Sequence, residues 1–327
     1  MGRMARVLFL LLGLGVLVAL ITQVNLAKVK DYLHEMGWAF PLIFLPYAVV
    51  YVCDTLGWRF AFGPSLSVPF PTLFLTRVGG EAINNITPFA YLGGEPVKAH
   101  LLTRFQIPII RGMAASIIAK LLISISQFFF VVLGGALALS HLVTHPDILW
   151  PLVVVIIIVG ILLAGLSYGL RVGLFRLLYG VLDRWKLTPS FMERWRAHLR
   201  QLDETIVGFY DQYPLHLLLS FGLHFTGWML GTLEVLAIFY AVGIPISLFE
   251  ALGIEALASV VKALAFFIPG SLGIQDGGNV LLLAIFGYPS SFGLTFSLVR
   301  RMRELLWISM GVLVLVRHYG WRSRPVV

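Results

Sequence analysis

Apolar residues run along this chain in blocks of about twenty, the length a helix needs to cross a bilayer at about 1.5 Å per residue. Runs over about 7–21, 41–62, 112–140, 150–170, 214–240 and 292–316 predict six full spans. Two further apolar stretches break the pattern. Residues 68–86 carry Arg77, Glu81, Asn84 and Asn85 and lead to Pro88, while residues 246–268 carry Glu250, Glu255 and Lys262 and lead to Pro269. A span facing lipid does not tolerate that polar load. Each stretch therefore reads as the first arm of a re-entrant hairpin. The first has an unwound tip over 88–94 and a returning helix from Glu95; the second returns over 272–287. Non-helical backbone at membrane depth must face protein or water. The predicted fold class is an all-α, polytopic integral membrane bundle with about six full spans and two Pro/Gly-broken hairpins.

The two breaks are related. An offset of 181 residues carries Pro88 onto Pro269, Glu95 onto Asp276 and Lys98 onto Asn279. Broken apolar segments at matching places in two halves mark the binding region of many transporters. We read one membrane domain over 1–327, with repeat half one at 41–170, a cytoplasmic connector at 171–213 and repeat half two at 214–317. The first run reads as a retained span, because no small-residue cleavage site follows it. Lys28 and Lys30 fall in a mixed-charge outer loop over 25–37, whereas the other loops and tails collect most of the Lys and Arg. The positive-inside rule then puts both termini in the cytoplasm. On that topology the two hairpins enter from opposite faces, an inverted pseudo-repeat. Within the connector, Thr188-Pro189 starts a helix in which Phe191, Trp195, His198, Leu202, Ile206, Phe209 and Tyr213 recur every three or four residues. Such a helix lies on the membrane or on the bundle. Contact with anionic lipid and a plain topology-fixing connector both fit.

Composition narrows the class. The chain is 59% hydrophobic and 12% charged, with mean hydropathy +0.91, against about 25% charged in soluble domains. A single cysteine, Cys53, excludes a disulfide framework and a cysteine metal site. The net charge of +8 reads as a topology signal rather than a nucleic-acid footprint. No His-Glu-x-x-His pair, phosphate-cradling Gly-x-x-x-x-Gly-Lys or nucleophile motif is present. The expectation is a protein without catalytic residues, metal or cofactor, and not an enzyme. Asp54, Glu81 and His224 are the acid/base groups an intramembrane enzyme would use.

Charge inside the apolar segments supplies the candidate site. From Arg300 to Arg317 is 17 residues, about 25 Å of helix. With Arg317 at the cytoplasmic interface, Arg300, Arg301, Arg303 and Glu304 lie deep and need partners. Arginine matches phosphate by bidentate hydrogen bonds. A phosphate-bearing headgroup supplies that partner; so does an internal ion-pair network, and the two are compatible. The substrate-binding set is Glu81, Asn84, Asn85, Glu95, Lys98, Lys120, Lys262, Asp276, Asn279, Arg300, Arg301, Arg303 and Glu304. Asp54 and Glu234 are candidate proton carriers. Ser116, Lys120, Ser124 and Gln127 share one helical face. The expected partners are membrane lipids, with lipid-biosynthesis enzymes recruited through the connector as the competing role.

The pattern Pro-x-x-x-x-Gly-Gly-Glu-x-x-Lys-Ala at 88–99 and Ile-Pro-Gly-Ser-Leu-Gly-Ile-Gln-Asp-Gly-Gly at 268–278 resembles the flippase-like transmembrane region of lysylphosphatidylglycerol synthases. The second motif is most similar to the stand-alone, hopanoid-biosynthesis-associated subgroup. The resemblance covers nearly the whole chain. It implies a bacterial inner-membrane bundle that moves or handles lipids. It carries the family's motif acids and bases onto Glu95, Lys98 and Asp276, with Arg301 or Arg303 from the last span. The synthases carry an aminoacyl-transferase domain after this region, and no counterpart is read in this sequence, so aminoacyl transfer is not expected.

Overall fold

The computed structural model describes residues 22, 24–87, 93–185, 193–265, 271 and 273–319. The first predicted span, the tips at Pro88 and Pro269 with Leu272, the Thr188-Pro189 helix start and the basic tail after 319 lie outside the described residues. Thirteen α-helices and two short 3₁₀ segments, and no strand, are found among them. In order they are α1 (Leu26–Glu35), α2 (Leu45–Phe60), α3 (Phe70–Ile86), α4 (Gly94–Leu102), α5 (Ile109–Leu137), α6 (Leu139–Leu142) and α7 (Pro146–Val172). Then come α8 (Leu174–Arg184), α9 (Arg196–Gln212), α10 (Pro214–Ala241), α11 (Leu248–Leu264), α12 (Ile274–Ile285) and α13 (Ser290–Tyr319).

Among the described residues four stretches are long and apolar enough to cross a membrane: Gly37–Phe60, which joins a 3₁₀ segment to α2, and α5, α7 and α10. Helix α13 has the length, 30 residues, but its centre carries Arg300, Arg301, Arg303 and Glu304. Proline opens α2, α3, α7 and α10 in the first turn, where its missing N–H is no loss. The protein is a multi-pass helical membrane protein.

One expectation needs correction. Residues 25–37 are not a loop. Asn25 caps α1 by accepting from the N–H groups of Ala27 at 3.1 Å and Lys28 at 3.3 Å, and Val29 packs into a small core with Val280 and Leu294. Of the two placements open to the connector's amphipathic helix, on the membrane or on the bundle, the bundle holds. The connector contains α8 and α9, and the apolar face of α9 (Leu202, Ile206, Phe209) is buried in the bundle core.

Packing relations recur in order along the chain. Helix α2 makes its most extensive contact with α10. Helix α3 packs on α13 and α11 on α5; α4 packs on α5 and α12 on α13; α1 packs on α13 and α9 on α5. Each hairpin thus touches the helix that follows it and the helix that follows the other hairpin. Close contacts match residue for residue at the offset of 181. A Cβ on Gly112 would stand 3.0 Å from Ala99 Cα, and a Cβ on Gly293 would stand 2.8 Å from Val280 Cα. Both neighbours are backbone atoms that cannot swing away. Gly293→Ala should therefore cost about 1–3 kcal/mol, the usual range for overpacking, and Gly112→Ala no more. Denaturant unfolding in micelles checks the order.

The apolar interior is divided. One core gathers α10 to α13 around Phe239, Phe292 and Phe296. The other gathers α2, α5 and α9 around Trp58, Ile118 and Ile206. Charged side chains lie between the two.

Candidate functional site

Both hairpins solve the same local problem. The returning helix begins with N–H groups that no helical carbonyl can reach. At α4, Asn84 Oδ1 accepts from the Gly94 N–H at 2.6 Å. At α12, Asp276 Oδ2 accepts from the Gly273 N–H at 2.9 Å. Side chains that cap these starts are therefore held at the broken part of each hairpin.

Three charge clusters grow from there. In the first, Lys98 Nζ stands 3.3 Å from Glu81 Oε1 and 2.7 Å from Glu95 Oε2, and Lys120 Nζ reaches Glu95 Oε1 at 3.7 Å. Asn84 Nδ2 donates to Glu81 at 3.2 Å and to Glu95 at 3.4 Å. No hydrogen bond reaches Glu95 Oε2 among the described residues, so its close approach to Lys98 is an ion pair without donor alignment. Asn85 donates to the Glu81 carbonyl at 2.8 Å.

The second cluster centres on Asp54. Arg77 Nη2 donates to Oδ2 at 2.9 Å, and His224 Nδ1 donates to Oδ1 at 2.8 Å. Arg77 also lies over the Tyr51 ring at 5.2 Å. The third cluster is the largest. Arg301 bonds Asp276 at 3.1 and 3.2 Å and Glu304 at 3.1 Å. Lys262 Nζ meets Glu304 Oε1 at 2.6 Å. Arg300 pairs with Glu255 and, at 3.3 Å, with Glu234. Arg303 pairs with Glu234 and stacks on Tyr47 at 3.7 Å. Asn279 reaches Asp276 only through Ser297, at 3.2 and 2.6 Å.

A cavity of about 740 Å³ runs between these clusters. Glu81, Asn85, Glu95, Lys120, Lys262, Arg300 and Arg303 line it, with Asp54, Arg77, Glu255 and Gln275. Asn84, Lys98, Glu304 and Glu234 stand behind the lining as its partners, and Asp276, Asn279 and Arg301 lie outside it, tied to one another and to Glu304. Ser124 and Gln127 share the wall with Lys120 while Ser116 is buried behind it. The rest of the lining is largely apolar, with Ile117 and Leu121 of α5, Leu166 and Leu170 of α7, and Trp228 of α10. Arg77 Nη1 and Gln275 Oε1 have no hydrogen-bond partner among the described residues, and both side chains face this space.

Formal charge balances cluster by cluster, leaving His224 aside. Glu81 and Glu95 match Lys98 and Lys120; Asp54 matches Arg77. Asp276, Glu304, Glu234 and Glu255 match Arg301, Lys262, Arg303 and Arg300. The sequence reading left Arg77, Glu255 and Gln275 out of the site. Arg77 and Glu255 stand out in the sequence as charges in apolar stretches, but their pairing with Asp54 and Arg300 does not.

Among the described residues no group of three or more His, Cys, Asp or Glu is arranged to hold a metal. The family model described as the lysylphosphatidylglycerol synthase TM region matches residues 5–311. Similar chains include UPF0104 membrane proteins of Methanothermobacter thermautotrophicus. One is 24% identical over 326 residues, covering 96% of this chain and 95% of the relative. A second is 23% identical over 299 residues, covering 85% and 83%. No solved structure matches the chain.

Proposed function

Because the chain belongs to the lysylphosphatidylglycerol synthase transmembrane-region family over nearly its whole length, we propose that it carries a polar-headed, phosphate-bearing lipid across the membrane through the central cavity. One observation carries the reading: charged groups from both hairpins line one cavity together with apolar side chains of α5, α7 and α10. That pairing suits an amphiphile. The volume of about 740 Å³ lies within the roughly 300–1,000 Å³ of small-ligand sites. It holds a headgroup, while the chains stay beside α7, whose apolar window is 0% buried.

Charge balance refines the substrate class. A ligand of one sign would strand a buried partner of the other, which is costly. A headgroup bearing both phosphate and amine exchanges with the ion pairs one for one. Phosphate fits Arg300 and Arg303 by bidentate bonds; the amine fits Glu81 and Glu95. This is transport without covalent chemistry, in the cytoplasmic membrane of a bacterium, with both termini inside.

The test is reconstitution. Liposomes containing the pure protein and a headgroup-intact fluorescent lipid should expose that lipid to an impermeant quencher faster than protein-free liposomes. A zwitterionic lipid should move faster than a purely anionic one. Equal rates with and without protein would end the proposal.

The inverted arrangement has its own test. Exposed Thr103 and Ser290 close the two hairpins before α5 and α13. In a Cys53→Ser background, Thr103→Cys should react with an impermeant thiol reagent only from the cytoplasm and Ser290→Cys only from outside. Labelling of both from one face would remove the inversion.

A further inference from the structure

Helix α8 was read as part of a polar connector, yet it carries an unpartnered apolar face. Leu177, Leu178, Val181 and Trp185 are 44–71% exposed. At about 100° per residue they fall on one side of the helix. Arg176 and Asp183 occupy the other side, Arg184 borders the apolar face next to Leu177, and all three are exposed. The face is not a continuation of the bundle core, because α9 already fills that place with Leu202, Ile206 and Phe209.

The position of α8 is fixed at its first turn. Helix α7, apolar and unburied along its span, ends at Gly173, whose φ of +99° turns the chain. Asp203 of α9 locks the elbow: Oδ1 accepts from the Phe175 N–H at 3.1 Å and Oδ2 from the Arg176 N–H at 2.7 Å. Past that turn a space of about 600 Å³ separates α8 from α9. The apolar face therefore starts directly where a membrane-crossing helix stops.

We propose that α8 is an in-plane amphipathic helix seated in the headgroup–acyl boundary of an anionic leaflet. Chain continuity with α7 puts it at that depth. The exposed apolar side gives it a reason to enter, and Arg176 on the polar side, Arg184 at its edge and Arg171 at the end of α7 match acidic headgroups. Leu174 and Phe175 of the same helix line the central cavity, so the seat of α8 sets one wall of its mouth. The inference needs α7 to cross the membrane; it does not need transport.

Nitroxide labels on the full chain in nanodiscs test it, with Cys53→Ser as background. In phosphatidylcholine–phosphatidylglycerol discs, a label at Val181 should collide with oxygen and be shielded from an aqueous nickel chelate. A label at Asp183 should do the reverse. Enrichment of spin-labelled phosphatidylglycerol around the protein should fall about fivefold for each of Arg176→Gln and Arg184→Gln, the effect of one basic residue at an anionic surface. Both residues are exposed, so folding should hold. A Val181 label open to the chelate would show a solvated face, and one shielded from both reagents would show a protein-covered face; either overturns the proposal. Undiminished phosphatidylglycerol enrichment in both arginine variants would overturn the anionic preference.

Discussion

Glu234→Gln is expected to destabilise the folded bundle by about 3–5 kcal/mol, the range for removing one member of a buried ion pair. Glu234 is 0% exposed and Arg303 is 3% exposed. The two arginines that lose a partner would not be equivalent. Arg300 keeps Glu255 when Glu234 loses its charge. Arg303 keeps only Glu304 at 3.8 Å and the Tyr47 ring. The cost therefore falls mainly on Arg303, left with most of its charge uncompensated. A second substitution checks this. Arg303→Met in the Glu234→Gln background removes the stranded charge while keeping an apolar stem, and should recover half or more of the loss. Glu255→Gln alone should cost less than Glu234→Gln, because Arg300 retains Glu234. Unfolding in mixed micelles, read as a double-mutant cycle, measures all of these. Equal costs for the two single glutamine variants would mean that the third cluster shares its charge diffusely.

That network explains what could be read from the chain and what could not. The spans were legible because twenty-residue apolar runs have few alternatives, and α5, α7 and α10 begin within about four residues of the hydropathy edges. The short amphipathic helices were not. Helix α1 is ten residues long with two lysines, and its evidence is a cap, Asn25, rather than a period. Helix α8 was hidden by Arg171, Arg176 and Arg184, which made its stretch look like a polar connector. The site divided the same way. Intramembrane charges stand out against apolar neighbours, so Glu81, Glu95, Lys120, Lys262 and the Arg300–Glu304 group were found. Which acid meets which base was not legible, because Asp54 meets His224 across 170 positions and Arg303 meets Glu234 across 69. No local pattern encodes such distances. One relation was in plain view and went unread. The offset of 181 that joins Glu95 to Asp276 also joins Lys120 to Arg301 and Ser116 to Ser297. Only the geometry gives it meaning, since Lys120 reaches Glu95 and Arg301 reaches Asp276.

This matched pair of couples gives the largest expected effect on transport. Glu95 and Lys120 line the cavity, whereas Asp276 and Arg301 lie outside its lining. If substrate passes from one couple to the other, both must face the headgroup in turn, and the present arrangement is one of two. Glu95→Gln should then reduce lipid translocation in liposomes about 30-fold or more, as expected for truncating one side of a buried, hydrogen-bonded charge pair. Asp276→Asn should reduce it by a similar factor, although Asp276 touches no part of the present cavity. Stability separates the two causes. Asp276 also holds the Gly273 N–H and Ser297, so rates are compared per folded protein. The reversed pair Glu95→Lys with Lys120→Glu should recover part of the lost rate, because it restores one acid and one base across the same gap. A full loss at Glu95 beside an unchanged rate at Asp276 would point to a one-sided site, with the second couple serving only to hold α12 against α13. Losses at both, with rescue by reversal, would leave two equivalent headgroup positions, one on α4 and α5 and one on α12 and α13.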